Sequence, residues 1–137
     1  MLSKVLATIG LLIFGALIPV LEISDTHVFN ETWPPHARLH EVWQLSTNIA
    51  LAVLGLWLVW VRGDLIIAGL IGTSVMGGVL VAHLLSGYYG GALTYEGGLD
   101  AEFAGLHVTE IVPLLAIILF VSAIILAGKG RSGVSRA

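Results

Sequence analysis

Four long apolar runs, roughly Val5–Leu21, Leu45–Val61, Leu65–Leu85 and Leu106–Leu126, take up most of the chain. Each is close to the ~20 residues a helix needs to cross about 30 Å of hydrocarbon. Lipid offers no partner to a backbone N–H or C=O, so runs of this length fold as helices that satisfy themselves. The expectation is an all-α, four-helix transmembrane bundle, one domain over 1–137, with spans of about 5–22, 36–61, 65–88 and 105–127. Only 11% of residues are charged and the mean hydropathy is +0.97, whereas about a quarter of residues are charged in soluble domains. No basic surface exists for nucleic acid. The absence of cysteine excludes disulfides and thiolate chemistry.

The cations set an expected topology. Lys4, Arg62, Lys129, Arg131 and Arg136 fall on one side of the four runs, and Arg38 alone on the other. The positive-inside rule then puts both termini in the cytoplasm and the connections 23–35 and 87–104 outside, in what would be a bacterial inner membrane. Lys4 followed by an apolar stretch has the look of a signal peptide, but no Ala-x-Ala pattern follows, and the stretch reads as a retained span. Arg62-Gly63-Asp64 reads as a tight turn that makes spans two and three antiparallel neighbours. Trp57 and Trp60 are expected at the inner interface, and Trp33, Trp43, Tyr88, Tyr89 and Tyr95 near the outer one.

Polar residues interrupt this pattern at one level. Pro34 and Pro35 suit a first helical turn, with Thr32 as a candidate cap. From there His36, His40, Trp43 and Thr47 follow one helical row, and Ala37, Glu41, Gln44 and Asn48 the next. His83 lies late in span three. His107 and Glu110, spaced i and i+3, open span four, and Glu22, Asp25 and His27 close the level from span one. At ~1.5 Å per residue these groups share a band on the order of 10–15 Å deep. A charge inside a span costs roughly 2.5–3.5 kcal/mol at its centre and less toward the surface, so Glu110 needs a partner, and His40, His83 and His107 are available. One reading is a hydrogen-bond cluster that holds four helices together; the other is a working site built on His40, His83, His107 and Glu110. Histidine and glutamate at i, i+3 and i, i+4 spacing serve as ligands in helical-bundle metal sites, so His36, His40, His83, His107 and Glu110 form a candidate metal set. Glycines 69, 72, 77 and 78 in span three allow close helix packing or room for a flat group. Pro113 breaks one backbone bond beside Glu110. Asn30-Glu31-Thr32 matches a glycosylation sequon.

The run Trp33-Pro34-Pro35-His36-Ala37-Arg38-Leu39-His40 contains Ala-Arg-x-His. With the four-span layout it resembles the styrene oxide isomerases, small membrane proteins whose second span opens with Trp-Ala-Arg-x-His. The resemblance implies that His40 is the axial ligand of haem b. It also implies that an asparagine further along that helix, here nearest to Asn48, helps to hold an epoxide, and that a late span-three tyrosine takes part, at a place here nearer His83 or Ser86 with Tyr88 beyond them. Gly91-Ala92-Leu93-Thr94-Tyr95 is similar to a Gly-Leu-Thr-Phe stretch of the same family. A homo-oligomer, specifically a trimer, is implied too. The string Thr26-His27-x-x-Asn30-x-x-Trp33-Pro34-Pro35-His36-Ala37-x-x-His40 also resembles a family of uncharacterised small membrane proteins. A fainter similarity links the chain to the emopamil-binding sterol isomerases, which use membrane-embedded histidine and glutamates for proton transfer.

The function these readings imply is isomerisation of a small lipophilic substrate, of the epoxide-rearrangement type, at a histidine-bound haem or, alternatively, a non-haem metal ion. Asn48, His83, Tyr88 and Glu110 are the candidate catalytic residues and His40 the cofactor ligand. The rival readings are a non-catalytic haem- or metal-binding or structural subunit of a larger membrane complex, and a small carrier for a metal ion or proton.

Overall fold

A computed structural model describes residues 1–93, 102–103 and 105–134, with backbone alone for Glu102 and residues 130–134. Four helices are long and apolar enough to cross a membrane. We label them α1 (Leu2–Glu22), α2 (Pro35–Arg62), α3 (Leu65–Tyr89) and α4 (Val108–Val134). Consecutive helices are neighbours, and α4 closes the ring against α1, as in an up-down bundle. Between 22% and 33% of each span's most apolar stretch is buried inside the bundle. The remaining outward surface is rich in Leu, Ile and Val, which suits lipid and not water. The chain is therefore an integral membrane bundle.

Packing follows from small residues meeting large ones. Phe120 of α4 is fully buried, and its ring fills the space beside Gly10 of α1 and Gly72 of α3. A Cβ at Gly10 would lie 2.7 Å from that ring, and one at Gly72 would overlap it. Gly55 gives the same clearance to Leu11, and Gly15 to Ala52. Lipid tails are as apolar as leucine, so close backbone approach and van der Waals contact hold such a core together. Gly69 belongs to this interface, facing Ile124, whereas a Cβ added at Gly77 or Gly78 would meet nothing within 4 Å among the described residues.

The two ends of the bundle differ. At the basic end, Asp64 caps α3 by accepting from the Ile67 N–H at 3.1 Å. Gly63, at φ +67°, takes the left-handed position that ends α2. Lys4 lies 5.3 Å from the Trp60 ring and Arg62 lies 5.6 Å from the Trp57 ring. The Trp60 indole donates to Thr8 Oγ1 at 3.0 Å, tying α2 to α1. One turn in each of α1 and α2, Ile13–Leu17 and Leu58–Arg62, is of π type.

The opposite end differs in two places from what the sequence suggests. Thr32 does not cap α2: Pro34 occupies that position, and Thr32 donates through its N–H and its hydroxyl to Asn30 Oδ1, at 3.0 and 2.7 Å. Asn30 is itself buried, with its Nδ2 donating to the Thr26 carbonyl at 3.0 Å. The sequon asparagine is thus used at both ends of its amide. The fourth helix starts at Val108, not near 105, because Leu106–His107 pairs antiparallel with Glu102–Phe103 first. Thr94 and Tyr95, and the side chains of Arg131 and Arg136, lie outside the described residues.

Candidate functional site

At the end away from the lysine and arginine cluster the bundle opens into a cavity of about 440 Å³. All four helices supply its wall. Ile18, Leu21, Leu45, Val79, Val112 and Pro113 make the wall apolar, while Glu22, His27, Glu41, Gln44, His83 and Ser86 place polar groups on it. Pro113 cannot donate a backbone bond, and its buried ring takes up wall space instead. Ala92 and Leu93, just beyond α3, cover part of the same space.

Two histidine–glutamate contacts stand at the cavity, one reaching it through His83 and the other through His27 and Glu22. His83 Nε2 on α3 lies 3.1 Å from Glu110 Oε1 on α4. The other oxygen of Glu110 accepts the His107 backbone N–H at 2.9 Å. His107 precedes the first helical residue, so this bond is one half of a capping box, with the glutamate at the third position reaching back. His107 and Glu110 therefore do not share a helix face as their spacing implies. The backbone of one holds the carboxylate of the other, and the His107 imidazole reaches Thr109 Oγ1 at 2.8 Å. His83 Nδ1 is buried without a hydrogen-bond partner among the described residues. On the far side, His27 Nε2 lies 2.9 Å from Glu22, and its Nδ1 lies 2.8 Å from Thr26 Oγ1, which fixes the ring. The His27 ring also meets Trp33 edge-on at 5.4 Å.

The helical rows of α2 diverge. Glu41 and Gln44 line the cavity. His36, His40, Trp43 and Thr47 are exposed on the bundle's outer surface. There His40 Nε2 lies 3.0 Å from His36 Nε2, and the Trp43 ring lies beside His40 at 5.7 Å. His40, Trp43, Gln44, Thr47 and Asn48 line a second, open groove of about 320 Å³. Asn48 is buried, and it belongs to this groove, not to the cavity.

The residues singled out from the sequence thus fall into two places. His83 lines the cavity and pairs with Glu110, which stands behind it off the cavity wall, with His107 holding Glu110 through its backbone. His36 and His40 stand on the outer face of α2, and buried Asn48 shares the open groove with His40 alone of the two. No three His, Asp or Glu side chains converge in a metal-binding arrangement among the described residues. Tyr88 is 90% exposed and lines neither space. Its neighbour Tyr89 lines the cavity and donates to the Ala82 carbonyl at 2.7 Å. Helical phase carried the signal for it, because Val79, Ala82, His83, Ser86 and Tyr89 recur at three- and four-residue steps on one face.

No curated protein matches the chain, and neither does any solved structure. A family model covers residues 6–135, nearly the whole of the sequence, and by that match the chain belongs to the family of unknown function DUF6640.

Proposed function

We propose that this protein is a membrane enzyme that isomerises a small lipophilic molecule by acid–base chemistry in the four-helix cavity. The observation that carries the reading is the His83–Glu110 pair, 3.1 Å apart, where two helices meet at an apolar cavity large enough for a small ligand. Glu110 is held by the His107 N–H, so its carboxylate keeps the His83 ring oriented. With Nε2 committed to Glu110, proton exchange with a ligand falls to Nδ1, which is buried and must first be uncovered by a turn of the ring or a shift of its neighbours. For an epoxide the sequence is balanced. The imidazolium gives its proton to the ring oxygen as one C–O bond breaks. A hydride shifts to the cationic carbon, and His83 takes the proton back as the carbonyl forms. The positive-inside rule places the cavity end outside and both termini inside, in a bacterial inner membrane, with substrate arriving from the bilayer.

The test is turnover of an aryl-substituted epoxide by purified protein in detergent, read as carbonyl product. His83→Gln should lower kcat by about 10²- to 10⁴-fold, the usual range for a positioned proton-transfer group. Unchanged turnover in His83→Gln, or none in the unaltered protein across aryl and alkyl epoxides, would refute the reading.

A second reading, haem, is favoured by the outer groove. His40 presents an imidazole there beside Trp43, Gln44 and Asn48. The groove is open on one side, so these residues fit a flat prosthetic group only if another copy of the chain, as in a homo-oligomer, supplies the second wall. His40 would then hold the iron, the group would supply Lewis-acid chemistry, and Asn48 would be a polar residue of the groove that takes it. A Soret band that His40→Ala abolishes would select this reading over the first.

A further inference from the structure

The outward row of α2 carries an arrangement that the cavity does not use. His36 and His40 stand one turn apart with their Nε2 atoms 3.0 Å from each other and the rings at 89°. Both side chains are exposed, at the first turn of a helix whose start is fixed by Pro34 and Pro35. Two neutral imidazoles can satisfy this contact only if one donates and the other accepts. Two imidazolium rings would repel.

The geometry points to a binding site for one divalent late first-row cation, copper, zinc or nickel, chelated by His36 Nε2 and His40 Nε2. Metal–imidazole bonds of about 2.0–2.1 Å set two adjacent nitrogens about 2.9–3.4 Å apart, so the observed spacing already matches a chelate. Histidines at i and i+4 on one helix face are the pair that zinc-binding helices use. Imidazole donors select copper, nickel and zinc over magnesium and calcium, with copper tightest. Arg38, the nearest cation in sequence, lies between them in the turn and projects to the other side of the helix, away from the pair. Two protein ligands leave the remaining positions to water, which the exposed surface supplies. This is an open site, separate from the cavity and independent of the proposed isomerisation.

The experiment is titration of purified, metal-stripped protein with Cu²⁺ against a chromophoric competitor chelator, with electron paramagnetic resonance of the one-equivalent complex. The expected result is one tight equivalent per chain and hyperfine splitting from two imidazole nitrogens. His36→Gln and His40→Gln should each weaken binding at least tenfold, whereas His83→Gln and His107→Gln should not. Because the resonance spectrum counts nitrogens in the unaltered chain, a misfolded variant cannot mimic the result. Binding that survives both α2 substitutions, or is lost in His83→Gln, overturns the site. So does protein isolated with haem on His40, since that nitrogen cannot serve both.

Discussion

The carboxylate of Glu110 is shared between two helices' worth of structure. One oxygen meets His83 across the α3–α4 contact, and the other receives the backbone N–H of His107 at its own helix start. Capping and acid–base orientation therefore reside in one side chain, and the two roles separate by substitution. Glutamine at position 110 can still accept from His107, because a capping box tolerates either residue. Glu110→Gln should hold its thermal midpoint close to the original while turnover falls at least tenfold. Glu110→Ala should lose turnover and, in addition, about 1 kcal/mol of stability from the vacated cap. Equal loss of both properties in the glutamine variant would leave Glu110 a purely structural group.

Gly72→Ala puts a methyl where the Phe120 ring lies. Overpacking of this kind costs about 1–3 kcal/mol. Gly78→Ala, on the same helix with open space around it, should change stability little. Thermal unfolding in detergent compares them, and Phe120→Leu should partly relieve the Gly72→Ala defect by freeing the clash.

Asn30→Ala removes the acceptor for the Thr32 N–H and hydroxyl and the donor to the Thr26 carbonyl. The groups left behind are on exposed Thr32 and half-buried Thr26, where water can replace part of the lost bonding, so the cost is about 0.5–1.5 kcal/mol. Hydrogen exchange should rise across residues 24–33 while the spans keep their protection. His27 is placed by Thr26 in the same loop, so ligand affinity should fall with it.

The adjacent tyrosines make an internal control. Tyr88→Phe should leave turnover and ligand affinity unchanged, since that side chain is 90% exposed. Tyr89→Phe removes the bond to the Ala82 carbonyl at the cavity wall and should raise KM more than it lowers kcat. The reverse ranking would place the substrate outside the bundle.

The four spans were readable because apolar length alone sets them, and the turn at Arg62-Gly63-Asp64 because glycine and a capping aspartate leave few other choices. The gathering of His83 with Glu110 followed from depth along the spans. Three features were not readable, for different reasons. His107 and Glu110 have helical spacing, yet a two-residue strand pair takes His107 off the helix, and that pairing depends on residues 102–103 folding back. The rows of α2 were visible as two rows, but which one faces inward depends on how α2 rotates against α1, decided by the Gly15–Ala52 and Gly55–Leu11 contacts. Tyr88 and Tyr89 are equivalent by composition and differ only by the 100° that one residue adds around a helix.

Gly63 has a further consequence. It reverses the chain between α2 and α3 with almost no connecting length, and the Lys4–Trp60 and Trp60–Thr8 contacts fasten α1 beside that bend. Those three rods are thus pinned together at one extremity. Any breathing wide enough to pass a molecule in or out must swing about that pinned extremity and be greatest at the other, where the connections between rods are long.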